Sequence, residues 1–207
     1  MDAHMKAFAK LLNANAYAHR PHEVFRDWCE MAACSLSNRV DRSQYDEREK
    51  RYMQLVGKYD REQIARFPQM LGELALSLHE MQDALGQLFM DLDFGSHWHG
   101  QFFTPYHLAR MAAQMTLKDA PALLEKKLLS SEPDFITLLE PACGAGAMVI
   151  AAAQTLIDQG ISPIVSMHAT CIDIDITAAQ MAYIQLSLLD LPPAGPARRH
   201  YPRRRAD

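Results

Sequence analysis

No stretch of this 207-residue chain approaches the roughly 20 consecutive apolar residues that a membrane-crossing helix needs. The opening segment, Met1 to Tyr17, lacks the apolar core of a signal peptide. Both absences lead us to expect a cytoplasmic protein with no membrane partner. Cysteine is scarce: Cys29, Cys34, Cys143 and Cys171 fit neither a CxxC motif nor a paired metal spacing. Reduced thiols are therefore expected rather than disulfides. Internal repeats are missing too, and 8% aromatic, 22% charged and 49% apolar residues exclude disorder, collagen and repeat arrays.

This composition suits one sizeable core, or a small helical domain plus part of a second, and leaves no room for two complete catalytic domains. The net charge of −4 is unevenly spread, because residues 192–207 carry five Arg and one Asp, which leaves −8 for residues 1–191. An acidic body does not attract phosphate backbones, so nucleic-acid binding would need a local basic face or a partner subunit.

Helical periodicity dominates the first 93 residues. Phe8, Leu11 and Leu12 form one stripe, and Val24, Phe25, Trp28, Met31 and Ala32 a second after Pro21. The charged stretch 38–51 reads as a solvated connection or helix face. Tyr52, Leu55, Val56 and Tyr59 precede Asp60, which with Gln63 has the spacing of a capping box. Pro68 is expected to kink or restart that helix. Leu74, Leu78, Met81, Leu85, Leu88 and Leu92 then predict one long amphipathic helix, whose apolar stripe suits a core or a partner helix.

Residues 94–100 read as a loop, Thr104 as a cap and Pro105 as a first helical residue. A stripe from Tyr106 to Met115 and a short helix from Asp119 to Leu129 follow. From Phe135 the pattern becomes strand, helix, strand, helix: strands over 135–139 and 168–172, a first helix that Gly160 can end, and a second capped by Asp175 and running to Leu189. Residues 192–207 hold four prolines without apolar periodicity and are expected to be a disordered, solvated tail.

The turn after the first of these strands, Leu139-Glu-Pro-Ala-Cys-Gly-Ala-Gly-Ala147, places Gly144 and Gly146 at a helix N-terminus. The missing side chains there suit either a tight turn that binds nothing or the approach of a ligand to the backbone. Asp173, at the end of the second strand, lies close enough across a parallel sheet to reach the hydroxyls of a ribose held over the turn. Helix capping is the other reading for Asp173, and the expected one for Asp175. His97 and His99 offer two metal ligands, but no carboxylate or cysteine completes a set, so a polar loop is expected.

Gly100-Gln-Phe-Phe-Thr-Pro105, the glycine turn and Cys171-Ile-Asp-Ile-Asp175, in that order, resemble the motifs of N6-adenine-specific DNA methyltransferases. The segment ending in Asp83-Ala-Leu-Gly-Gln87 resembles what precedes them in the modification subunits of type I restriction systems. The specific match covers about residues 100–190. It implies an α/β chain: a helical N-terminal domain over 1–93, then a partial Rossmann-like S-adenosylmethionine-dependent methyltransferase domain over 94–191. It implies S-adenosyl-L-methionine as cofactor and double-stranded DNA as partner. Phe102, Phe103, Thr104 and Pro105 would flank the methionine end; Glu140, Pro141, Ala142, Cys143, Gly144, Ala145 and Gly146 would cradle the amino-acid portion, with Glu140 near its ammonium. Asp173 would take the ribose hydroxyls, with Ile174 against the adenine and Cys143 a packed turn residue.

The family's Asn/Asp-Pro-Pro-Tyr/Phe motif, which holds the target amino group of a base rotated out of the duplex, is absent from these residues. Pro192-Pro193 comes too early, and Ala194 rather than an aromatic residue stands directly after it. Only two of about seven expected strands are visible, so we expect an oligomer, a second protein completing the sheet, or marginal stability in this half. The change of composition at residue 192 reads as a truncation. Cofactor binding without catalysis by this chain alone is therefore the expected activity. The competing expectation is a non-catalytic interaction or regulatory protein that binds a restriction-modification subunit or DNA, and methylation of a small molecule or protein is a third.

Overall fold

Asp2 opens the helical half by accepting the Met5 N–H at 2.8 Å, which caps α1 (Ala3–Asn15). The computed structural model describes residues 1–92, 102–129 and 134–191. α2 (Pro21–Val40) starts with proline in its first turn, where no intrahelical N–H is needed, and α3 (Tyr45–Val56) follows a short connection. The charged stretch 38–51 is thus the end of one helix and the start of the next. α4 (Arg61–Ser77) begins with the expected capping box: Asp60 accepts the N–H groups of Glu62 and Gln63, and the Gln63 side chain accepts the Asp60 N–H at 3.0 Å. Buried Gln63 also exchanges two 3.0 Å hydrogen bonds with Asn15, which fastens α4 to α1.

Of the kink or restart expected at Pro68, the restart is corrected: Pro68 lies inside α4, which runs on to Ser77, and the Gln69 side chain beside it donates to the Ala65 carbonyl at 2.9 Å. A second expectation is corrected as well. The single long helix over 74–92 is in fact the end of α4 and a separate α5 (Ala84–Asp91). Asp83 breaks it by turning its carboxylate back to the Gly86 N–H at 2.9 Å, while Gln82 donates to the Ser77 carbonyl at 2.8 Å and holds the end of α4. The apolar spacing carries across the break because Leu74, Leu78, Leu85 and Leu88 all enter one core. That core is centred on Trp28, whose ring meets Phe8 edge-on at 4.8 Å and whose Nε1 donates to the Phe67 carbonyl.

The second half contains α6 (Tyr106–Thr116), α7 (Ala120–Leu128), β1 (Ile136–Glu140), α8 (Ala147–Asp158), the single turn α9 (Pro163–Ser166), β2 (Met167–Cys171) and α10 (Ile176–Leu188). Thr104 does not cap α6; Pro105 takes the cap position itself and no side chain accepts there. β1 and β2 pair in parallel, from Ile136 opposite Met167 to Glu140 opposite Cys171. α8 covers one face of the pair, where Ile136, Met167 and Ala169 are buried, while Thr137, Leu139, His168 and Thr170 on the other face are exposed. Among the described residues the fold is therefore mostly helical with a two-stranded parallel sheet, a mixed α/β architecture.

α10 joins the halves. Its sequence has no polar face, as expected of a helix covered on several sides. Met181 and Ile184 enter the helical core and Leu186 the core beneath the sheet. Among the described residues no helix is long and apolar enough to cross a membrane. The expected loop over 94–100, with His97 and His99, and the tail over 192–207 lie outside the described residues.

Candidate functional site

The sheet pairing continues past both strands and so shapes the turn between β1 and α8. The Ile172 N–H donates to the Glu140 carbonyl and the Cys143 N–H to the Ile172 carbonyl, each at 2.9 Å, which draws the segment after β1 against the segment after β2. The chain then reverses through Gly144 at φ +53° and Gly146 at φ +98°, conformations that favour glycine, and α8 starts at Ala147.

Asp173 is tied directly to this turn. One carboxylate oxygen accepts the Gly144 N–H at 2.8 Å and the other the Asp175 N–H at 2.9 Å. Asp175 caps α10 by accepting the Thr177 N–H at 2.7 Å, so the neighbouring carboxylates divide the work: one caps a helix and the other bridges two strand ends. A carboxylate oxygen has two acceptor sites, so Asp173 keeps capacity for further donors such as hydroxyl groups. Glu140 ends β1 half-buried, its carboxylate accepting the Ala142 N–H at 3.2 Å.

Phe103 brings the 102–105 block to the same place. Its ring packs on Phe89 of α5 at 5.0 Å and lies over Gly144, where a Cβ would come within 2.9 Å of it. At Gly146 a Cβ would meet Ala182 of α10 at 3.4 Å. The space freed by each missing side chain is thus filled by the protein itself, and both glycines and Ala145 are buried. Around this packed centre Phe102, Pro141, Ala142 and Ile174 are exposed, Ile174 completely. Thr104 and Pro105 are exposed in the connection to α6.

Cys143 is buried, and a hydrogen bond with the Cys171 thiol together with burial pushes its pKa up. It is held protonated, the opposite of what an attacking thiolate requires. All four cysteines are free thiols.

Sequence reasoning missed the polar support beneath the turn. Gln185 of α10 is 0% exposed; its Nε2 donates to the Ala145 carbonyl at 2.7 Å and to Asp83 at 2.9 Å, and its Oε1 accepts the Leu85 N–H at 3.0 Å. Burial raises the Asp83 pKa against the lowering effect of the hydrogen bonds from Gln185 and Gly86. α10 carries two amides, Gln180 and Gln185, and nothing in their spacing marks Gln185 as the buried one, so the signal becomes informative only once the packing of that helix is known.

Elsewhere the described residues offer less chemistry. A groove of about 360 Å³ lies at the far end of α8, lined by apolar residues such as Met81, Ile161, Pro163 and Leu189 with Ser162 as its polar member. No group of three or more potential metal ligands occurs among the described residues. No family model, curated protein or solved structure matches the chain.

Proposed function

We propose that the glycine turn binds S-adenosyl-L-methionine and that the chain is the cofactor-binding part of an adenine-specific (N6) DNA methyltransferase, with β1, α8, β2 and α10 as a partial Rossmann-like domain. The observation that carries this reading is the Asp173 carboxylate fastened to the Gly144 N–H, with Glu140 at the adjoining strand end. Two carboxylates and exposed apolar side chains suit a ligand with a cationic amino-acid end, ribose hydroxyls and an adenine ring. They suit a dinucleotide poorly, because its pyrophosphate would face Glu140 across a turn of this kind.

The residues present fit the cofactor in kind. Glu140 and the turn would hold the ammonium and carboxylate, Asp173 the ribose, Ile174 the adenine, and Phe102, Phe103, Thr104 and Pro105 the methionine end. When bound, the cofactor supplies an electrophilic methyl group. The chain's own contribution is to orient it, since positioning provides a large part of the rate in transfers of this kind. Double-stranded DNA is the proposed substrate partner. An oligomer or a second protein would complete the sheet, whose Leu139 is 65% exposed.

A second reading, a non-catalytic interaction or regulatory protein acting on a restriction-modification subunit or DNA, is favoured by the lack of the Asn/Asp-Pro-Pro-Tyr/Phe motif in these 207 residues. Calorimetric titration with S-adenosyl-L-methionine tests cofactor binding. We expect saturable binding that Asp173→Ala weakens about tenfold or more, as the loss of a charged hydrogen-bond acceptor would. No binding at millimolar ligand overturns the cofactor reading, and methyl transfer to adenine by the purified chain overturns the non-catalytic one.

A further inference from the structure

Three segments distant in sequence meet on one side chain. The Gln185 carboxamide uses both its donor and acceptor ends inside the protein, on the Ala145 carbonyl of the glycine turn, on Asp83 and on the Leu85 N–H. Asp83 in turn accepts the Gly86 N–H and caps α5. Gly86 is close-packed on that cap, since a Cβ there would fall 2.1 Å from an Asp83 oxygen. A second bridge runs parallel to the first, from Phe89 of α5 through the Phe103 ring to Gly144. α5 is thus fastened to the turn twice, its start to Ala145 by hydrogen bonds through Gln185 and its later residue Phe89 to Gly144 by ring packing through Phe103.

We propose that Gln185 is a positioning residue for the glycine turn, holding the Ala145 carbonyl to the Asp83 cap of α5 so that the helical half of the chain sets the turn's ligand-binding shape. This rests on the cofactor reading only in what the turn is shaped to bind. An apolar side chain at 185 leaves the Ala145 carbonyl, the Leu85 N–H and one bond to Asp83 without their buried partner. The carbonyl belongs to the residue between the two positive-φ glycines, where the backbone has most freedom to move once released.

The test compares the full chain with Gln185→Leu and the near-isosteric Gln185→Glu. Amide hydrogen exchange without ligand is the first readout, with thermal unfolding and titration with S-adenosyl-L-methionine alongside. The amides to follow are Cys143, Gly144 and Gly146, each bonded within the site to Ile172, Asp173 and Cys143 respectively. We expect exchange at these amides to rise about tenfold or more, the equivalent of one buried hydrogen bond, with α1 and α4 unchanged. Cofactor affinity should fall by a similar factor. Unchanged exchange at the turn in a folded variant overturns the proposal. So does a uniform rise across the chain, or failure of both variants to fold, because either makes the amide a support for stability alone. Absence of cofactor binding by the unsubstituted chain overturns the cofactor reading instead, and the exchange result still decides the role of Gln185.

Discussion

Gly144 carries two demands at once. Its φ of +53° favours glycine, and the Phe103 ring occupies the position where a Cβ would stand. Gly144→Ala should therefore cost about 1–3 kcal/mol, from backbone strain plus the displacement of an aromatic ring. The two contributions separate in a double-mutant cycle with Phe103→Ala. Removing the ring relieves the steric part, so the double variant should be more stable than the sum of the single losses implies. Strict additivity in thermal unfolding would show that Phe103 does not lie over Gly144. The cysteine beside this glycine illustrates the same preference for packing over reactivity, its thiol turned inward and kept protonated.

Elements in this chain begin and end where polar side chains satisfy backbone groups, and those places differ in how plainly the sequence marks them. The Asp60 and Gln63 pair announces α4 because both partners of the capping box are named by their spacing. Asp83 starts α5 with a single acceptor and a glycine at the third position, so no reciprocal side chain marks the site. The apolar stripe across it suggested continuity instead. Asp83 also lends itself to a pH test. Burial raises its folded-state pKa above the ordinary carboxyl value of 3.8, so the folded chain binds more proton than the unfolded chain in that range. Its contribution to stability is then greatest below the unfolded value and declines as pH rises through the folded one. Asp83→Asn should flatten that decline in denaturant unfolding measured from pH 4 upward; an unchanged profile would place the titration elsewhere.

At the scale of the whole molecule, the described residues form two cores that share α10. The strand-helix-strand-helix order was legible because its short apolar runs are punctuated by a glycine turn and by Asp175, and the structure places both strands within one residue of their expected positions. The proximity of Asp173 to Gly144 was legible from the ends of two parallel strands, and that of Phe103 only from the family resemblance. The internal filling of both glycine positions was not, because it depends on where Phe103 and Ala182 land in three dimensions. The dependence of the turn on Gln185 was hidden for the same reason: residues 83, 145 and 185 meet only after α5, α8 and α10 have packed. Our central proposal is that the glycine turn at the two strand ends, beside the α10 common to both cores, is a cofactor site. The most direct measurement is a titration of the isotopically labelled chain with S-adenosyl-L-methionine, following backbone amide resonances. Saturable shifts centred on Phe103, Gly144 to Gly146, Asp173 and Ile174 are the predicted result. Shifts confined to the apolar groove around Ile161, or none at millimolar ligand, would contradict it.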